Sequence, residues 1–160
     1  MNLIVSVDRN WAIGKSGNQL ACIKEDLKRF QALTMGKAII LGRKTLSTFP
    51  GGKPLKGRTN LILSQNPEFR PEGAQVFPDL ESLLAQAPED AFVVGGSNVY
   101  QQLLDRCQTA YVTQIHSVFP ADSWFPNLDR HPGWELVEEQ GPFTDTDGLS
   151  FSYRTYQAKY

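Results

Sequence analysis

Short runs of branched apolar residues punctuate the chain, and each stops abruptly at a glycine or a polar turn. Residues 3–7 (LIVSV) stop at Asp8-Arg9-Asn10, residues 37–41 (KAIIL) at Gly42-Arg43-Lys44-Thr45, residues 60–63 (NLIL) at Ser64-Gln65-Asn66-Pro67, and residues 91–94 (AFVV) at Gly95-Gly96-Ser97. Runs of four or five apolar residues are too short for buried helices and read as strands covered on both faces. Between them lie helical patterns. Ile23, Leu27, Phe30 and Leu33 recur near helical spacing across residues 25–33, and Val99, Leu103 and Leu104 do so after Gly96. Asp79 stands as an N-cap before Leu80-Glu81-Ser82-Leu83-Leu84. The three later runs predict one theme, a strand, a tight turn and a helix. Strands alternating with helices give an α/β fold around a mainly parallel sheet.

The last third changes character. Residues 111–115, 134–139 and 149–158 are strand-like, and the last two are joined by the turn-rich residues 142–148. Two long strands with a short connection predict an antiparallel hairpin closing one edge of the sheet.

A chain of 160 residues fits one domain, residues 1–160, without repeats or linker-like breaks. With 41% hydrophobic and 21% charged residues it is able to bury a core, which excludes intrinsic disorder. A net charge of -1 gives no reason to expect nucleic acid or a membrane as partner. Cys22 and Cys107 cannot form a disulfide framework, no Cys/His spacing suits zinc, and no metal site is expected. The opening apolar run is too short for a signal sequence, so the expectation is a cytoplasmic monomer.

Ligands of open parallel sheets sit at the carboxyl ends of the strands. Here those ends carry Gly42-Arg43-Lys44-Thr45, Ser64-Gln65 and Gly95-Gly96-Ser97-Asn98. Glycine allows close backbone approach, free N–H groups at a helix start favour phosphate, and Arg and Lys add charge. One such loop is explained as well by an ordinary strand end; three at corresponding ends favour a dinucleotide site. Neither common phosphate signature fits. Gly14-Lys15-Ser16 looks like the end of a P-loop, but the upstream glycine position holds Arg9, and Gly95-Gly96-Ser97-Asn98 lacks the Rossmann spacing.

Asp26 shares a helix side with Ile23 and Phe30, with Leu27 adjoining, so its carboxylate is partly withdrawn from water and suited to proton chemistry. On this helix alone it reads more readily as a surface acid like Glu25, or as an N-terminal charge favoured by the dipole. A hydroxyl within reach would change that, and Thr113 in a central strand is the candidate. Arg58, after the turn Pro54-Leu55-Lys56-Gly57, fits a bidentate grip on a ligand carboxylate and fits a solvated arginine equally well.

In combination these segments resemble bacterial dihydrofolate reductase over nearly the whole length. The resemblance rests on Ile4-Val5-Ser6-Val7-Asp8, Trp11-Ala12-Ile13-Gly14-Lys15-Ser16-Gly17, Glu25-Asp26-Leu27-Lys28-Arg29-Phe30, Gly42-Arg43-Lys44-Thr45, Pro54-Leu55-Lys56-Gly57-Arg58, residues 94–100, Tyr111-Val112-Thr113 and residues 121–126. It implies a twisted sheet of about eight strands flanked by about four helices, and NADPH-dependent reduction of 7,8-dihydrofolate to tetrahydrofolate in one-carbon metabolism. Antifolates would be its inhibitors. Asp26 would be the active-site acid, bonded to the pterin 2-amino group and the adjacent ring nitrogen, with Thr113 beside it. Val5, Ser6, Leu27, Phe30, Phe49, Leu55 and Val94 would line the substrate slot, and Arg58 would hold the glutamate carboxylate.

The resemblance places the cofactor along Ser6, Ile13, Gly14, Gly17, Asn18 and Gln19, along Gly42, Arg43, Lys44 and Thr45, and along Leu63, Ser64 and Gln65. The remaining contacts would be Gly95, Gly96, Ser97, Asn98, Val99, Tyr100 and Ser123, with the Gly95–Gly96 bond cis. The carboxylate would orient the pterin, water would carry the proton to N5, and the loop of residues 14–19 would close over the nicotinamide. The chain departs from the family pattern at Leu20-Ala21, where a Pro-Trp pair is usual, and at Lys24, where a proline is usual. It departs again at Asn98 and Gln65, two phosphate-binding positions, so a preference for NADPH over NADH would rest on Arg43, Lys44 and Ser64. A pyrimidine reductase of the riboflavin type is the rival enzyme reading, against which Asp26-Leu27 and Arg58 argue. A binding module that has lost catalysis is the rival of another class, against which Asp26, Thr113 and Gly95-Gly96 argue. Cys22 reads as a small packing residue.

Overall fold

The computed structural model describes residues 1–160. The strands are β1 (Asn2–Val7), β2 (Ala12–Gly14), β3 (Ala38–Gly42), β4 (Thr59–Leu63), β5 (Ala74–Phe77), β6 (Phe92–Gly95), β7 (Thr109–Ile115), β8 (Ser123–Trp124), β9 (Trp134–Thr144) and β10 (Ser150–Ala158). The α-helices are α1 (Lys24–Thr34), α2 (Arg43–Leu46), α3 (Leu80–Gln86) and α4 (Ser97–Leu103). Eight strands form one sheet in the order β5-β4-β3-β6-β1-β7-β10-β9, and β2 pairs with β8 in a small second sheet. From β5 to β7 every neighbouring pair is parallel, while β10 runs antiparallel to both β7 and β9. The predicted α/β architecture with its antiparallel edge is therefore present. No helix is long and apolar enough to cross a membrane.

The period-2 alternation of strands sorts the core onto two faces. Leu3, Val5 and Val7 of β1 join Ala38 and Ile40 of β3 under α3 and α4, where Leu83, Val99 and Leu103 pack. Ile4 of β1 joins Ile39 and Leu41 on the opposite face, against Phe30 and Leu33 of α1. Ser6 follows Ile4 at the next position of that second face, beneath α1.

Two readings need correction. The turn after residues 60–63 leads to no helix. Pro67, Pro71 and Gly73 interrupt any helical run there, and the chain instead reaches β5, parallel to β4 at the sheet edge. The turn assigned to residues 142–148 is shorter, because β9 continues through Pro142 to Thr144. Proline is tolerated on an edge strand, where no ladder bond is required of its nitrogen. Asp145 makes the turn itself, its Oδ1 accepting from the N–H groups of Asp147 and Leu149. Strand β2 is tied to β8 through Ala12 opposite Trp124 and Gly14 opposite Ser123.

Candidate active site

A cavity of about 650 Å³ opens at the carboxyl ends of the parallel strands. Its walls are Val5, Ser6 and Val7 from β1, Gly42 from β3, Leu63 from β4, Val94 and Gly95 from β6 and Ile115 from β7, with the turns that follow them. This is the crevice an open parallel sheet offers a ligand, at a size suited to a cofactor. Every residue the resemblance gave to the cofactor lines it, from Ser6 through Ile13, Gly14, Gly17, Asn18 and Gln19 to Ser123. Sequence reasoning missed Val7, Thr48, Ile115 and Asp122 in the same wall, and it knew Leu20 and Ala21 only as departures.

Two helices start at this cavity, and neither has a side-chain cap. Gly42 is the N-cap of α2 and Gly96 that of α4, so no side-chain acceptor takes their first-turn N–H groups. Helix α3, away from the cavity, is capped by Asp79, whose Oδ1 accepts from Ser82 N–H at 2.7 Å. Helix α1, which starts outside the cavity, lacks a side-chain cap as well, so the free N–H groups of α2 and α4 leave room for a bound anion without singling it out. Space is also reserved there. Gly95 has φ 134°, and a Cβ on it would stand 3.3 Å from Thr45 Oγ1. The Gly95–Gly96 peptide is cis. Tyr100 presents its ring to the cavity while its hydroxyl donates to the Ile4 carbonyl at 2.7 Å; burial pushes the phenol well above its ordinary value and keeps it a donor.

The acid lies beside this cavity. Thr113 Oγ1 donates to Asp26 Oδ1 at 2.5 Å, and Ser6 Oγ donates to Asp26 Oδ2 at 2.8 Å. Ser6 and Thr113 are register partners across β1 and β7, so the two hydroxyls stand side by side under the carboxylate of α1. One turn along α1, the Arg29 guanidinium sits 4.1 Å from the centre of the Tyr153 ring, with one buried terminal N–H unpartnered. Desolvation pulls its pKa down, while Tyr153 and Asp26 pull it up.

Phe30, Phe49, Leu55 and Val94 meet around one apolar cluster of Ile4, Ile39, Leu41, Leu46, Ile62 and Phe92. Leu27 does not join them and remains 45% exposed. Arg58 donates from Nη1 to the Lys56 carbonyl at 3.0 Å, leaving buried Nε and Nη2 without partners. Buried guanidinium N–H groups without acceptors fit an anionic ligand. Cys22 is exposed, so the packing role expected of it is not found. No three His, Cys, Asp or Glu side chains come together as metal ligands.

The segment 55–58 is fixed by a residue that sequence reasoning passed over. Asn60 is 2% exposed; its Oδ1 accepts from Leu55 N–H, and its Nδ2 donates to the Leu55 and Arg58 carbonyls. Asp8, fully buried, does similar work for the turn of residues 8–12. Its Oδ1 accepts from Asn10 and Ala12 N–H and its Oδ2 from Phe119 N–H. Asp122 accepts from Ser16 N–H at 2.9 Å and donates its own N–H to the Gly14 carbonyl. A buried polar residue inside an apolar run was the available signal at Asn60.

The sequence model of the family described as dihydrofolate reductase matches residues 1–158. The chain belongs to the dihydrofolate reductase family. It is accordingly an oxidoreductase. Dihydrofolate reductase of Bacillus subtilis (strain 168) is 32% identical to it, over 99% of this chain and 95% of that one. Dihydrofolate reductase type 3 of Salmonella typhimurium is 34% identical, over 97% and 96%. Among solved structures, dihydrofolate reductase from Enterococcus faecalis complexed with NADP(H) and RAB-propyl superposes with a TM-score of 0.88 at 33% identity, covering 99% of this chain and 96% of that one. The cavity at the strand ends and the Asp26 carboxylate adjoin through Ser6, which lines the one and donates to the other.

Proposed function

We propose that the chain reduces 7,8-dihydrofolate to 5,6,7,8-tetrahydrofolate with NADPH, serving one-carbon metabolism. The observation that carries this reading is the Asp26 carboxylate, held on both oxygens between the apolar cluster and the strand-end cavity. NADPH, when bound in the cavity, would supply the hydride for C6 of the pterin. Arg43, Lys44 and the uncapped N–H groups of α2 and α4 hold its phosphates. Asp26 accepts from the pterin 2-amino group and the adjacent ring N–H, and so sets the heterocycle edge-on to the cavity. By fixing that orientation it favours protonation at N5, to which water carries the proton.

Phe30, Phe49 and Leu55 shield the rings from water, and Arg58 takes the glutamate carboxylate with its unpartnered N–H groups. The loop of residues 14–19, tethered through Ser16 and Gly14 to Asp122, closes the cavity edge. Arg43, Lys44 and Ser64 favour NADPH over NADH, whereas Asn98 is engaged by Gln102, whose Nε2 donates to its Oδ1. On this reading the chain works as one domain over residues 1–160, a cytoplasmic monomer.

The test follows NADPH absorbance on addition of dihydrofolate, with and without a 2,4-diaminopyrimidine antifolate. NADPH oxidation that depends on dihydrofolate and stops with the antifolate is the expected result. Ligand binding without NADPH oxidation refutes the catalytic reading.

A further inference from the structure

We infer that Ser6 is a positioning residue for the reaction, acting through Asp26 rather than through the cofactor. The inference rests on the dihydrofolate-reducing reading of the site. Ser6 is the residue common to both parts of that site. It lines the strand-end cavity, and its hydroxyl proton is committed to Asp26 Oδ2. Asp26 itself does not line the cavity.

An ionised carboxylate offers about four lone-pair positions, two on each oxygen. Thr113 occupies one on Oδ1 and Ser6 one on Oδ2. One position per oxygen is left, which matches the paired N–H groups along one edge of a 2-aminopyrimidine ring. A single hydroxyl would leave the carboxylate free to turn about its last side-chain torsion, which is a soft one. Two hydroxyls on opposite oxygens fix its plane. Their spacing is set by the β1/β7 register, in which Ser6 lies opposite Thr113. The alternation of β1 sends Ile4 into the cluster beneath α1, and Ser6 emerges on that same face where α1 carries Asp26. A hydroxyl at this one position of the strand therefore serves the acid, although the residue borders the space assigned to the cofactor.

Ser6→Ala removes the donor while leaving the backbone and the cavity wall in place. Losing one hydrogen bond to a charged group from the orienting pair lowers affinity for the planar heterocycle about tenfold. The experiment compares wild type, Ser6→Ala and Ser6→Thr. It measures kcat and KM for dihydrofolate, the Kd of a 2,4-diaminopyrimidine titrated without cofactor, and the Kd of NADPH. The expected result is that Ser6→Ala weakens diaminopyrimidine binding and lowers kcat/KM for dihydrofolate about tenfold each, with NADPH Kd within twofold of wild type. Ser6→Thr, which restores the hydroxyl, recovers at least half of the lost kcat/KM.

Ser6→Ala values within twofold of wild type for both ligands overturn the inference. So does a loss confined to NADPH binding, and so does a Ser6→Thr protein no better than Ser6→Ala. If the wild type fails to oxidise NADPH with dihydrofolate, the proposed function fails. The diaminopyrimidine titration then still judges Ser6 by itself.

Discussion

Replacing Asp26 by asparagine isolates what the charge contributes. The side chain keeps its shape, and both neighbouring hydroxyls accommodate it. Thr113 continues to donate to the amide oxygen, and Ser6 turns its hydrogen away to accept from the amide nitrogen, or the two exchange roles. The fold survives, since Asp26 is only half-buried and forms no ion pair. What is lost lies toward the ligand. In the proposed complex, two charge-assisted bonds to the pterin, roughly 1.5–3 kcal/mol each, become one neutral bond and one donor facing a donor. The net loss is roughly 3–5 kcal/mol, which at about 1.4 kcal/mol per decade lowers kcat/KM for dihydrofolate roughly 10²- to 10⁴-fold. NADPH affinity stays within about twofold, because the phosphate and nicotinamide walls are untouched. Steady-state NADPH oxidation and a separate NADPH titration measure the two quantities. Turnover within about threefold of wild type would remove Asp26 from the chemistry, and a parallel fall in NADPH affinity would show that the substitution had disturbed the fold instead.

Asn60→Ala removes three bonds to the 55–58 backbone and leaves buried peptide groups unpaired, so it costs about 2–3 kcal/mol and lowers Tm by roughly 4–12 °C. The same variant raises KM for dihydrofolate, because Arg58 loses its fixed position; a thermal melt and a substrate titration check both effects. Gly95→Ala places a Cβ 3.3 Å from Thr45 Oγ1 at φ 134°, a strain of about 1–3 kcal/mol at the cavity wall, and NADPH Kd rises at least tenfold by titration. At the far side of the sheet, the bonds from Ser82 hold Asp79 below its ordinary value of 3.8. Its folded-state pKa is depressed, so its contribution to stability is present above the unfolded value and is lost as pH falls through the folded one. Denaturant melts across that acid range show the gap between wild type and Asp79→Ala narrowing toward zero.

Much of the scaffold was legible because burial on both faces leaves an unmistakable mark. Runs such as Ile39-Ile40-Leu41 divide their alternate side chains between two apolar layers, and no polar position interrupts them. The abrupt glycines at Gly42, Gly95 and Gly96 fall at the strand-end cavity, where a backbone facing open space at close range has no room for side chains. The C-terminal hairpin was legible from its length. The small β2–β8 pair was not, because three residues against two carry no periodicity and Ala12 finds its partner at Trp124, more than a hundred residues away. Strand β5 was missed because Ala-Gln-Val-Phe at a half-buried edge resembles loop as much as strand.

The polar contacts that organise the site were hidden for a different reason, even where the residue itself had been named, as Ser6 was. Asp8, Asn60 and Ser6 each sit within or at the end of an apolar strand, where sequence alone says that a polar group is present but not what it faces. The direction follows only once the sheet is assembled. Asn60 turns to the segment before its own strand, Asp8 to the backbone N–H groups of Asn10, Ala12 and Phe119, and Ser6 to a carboxylate on the covering helix. Asp26 is the same case seen from the helix. With only its helical neighbours in view it passes for a surface acid like Glu25, and what distinguishes it is a pair of hydroxyls contributed by two strands, β1 and β7. The site is thus a property of strand register, and shifting β1 by one residue against β7 would exchange Ser6 for an apolar side chain beneath the acid.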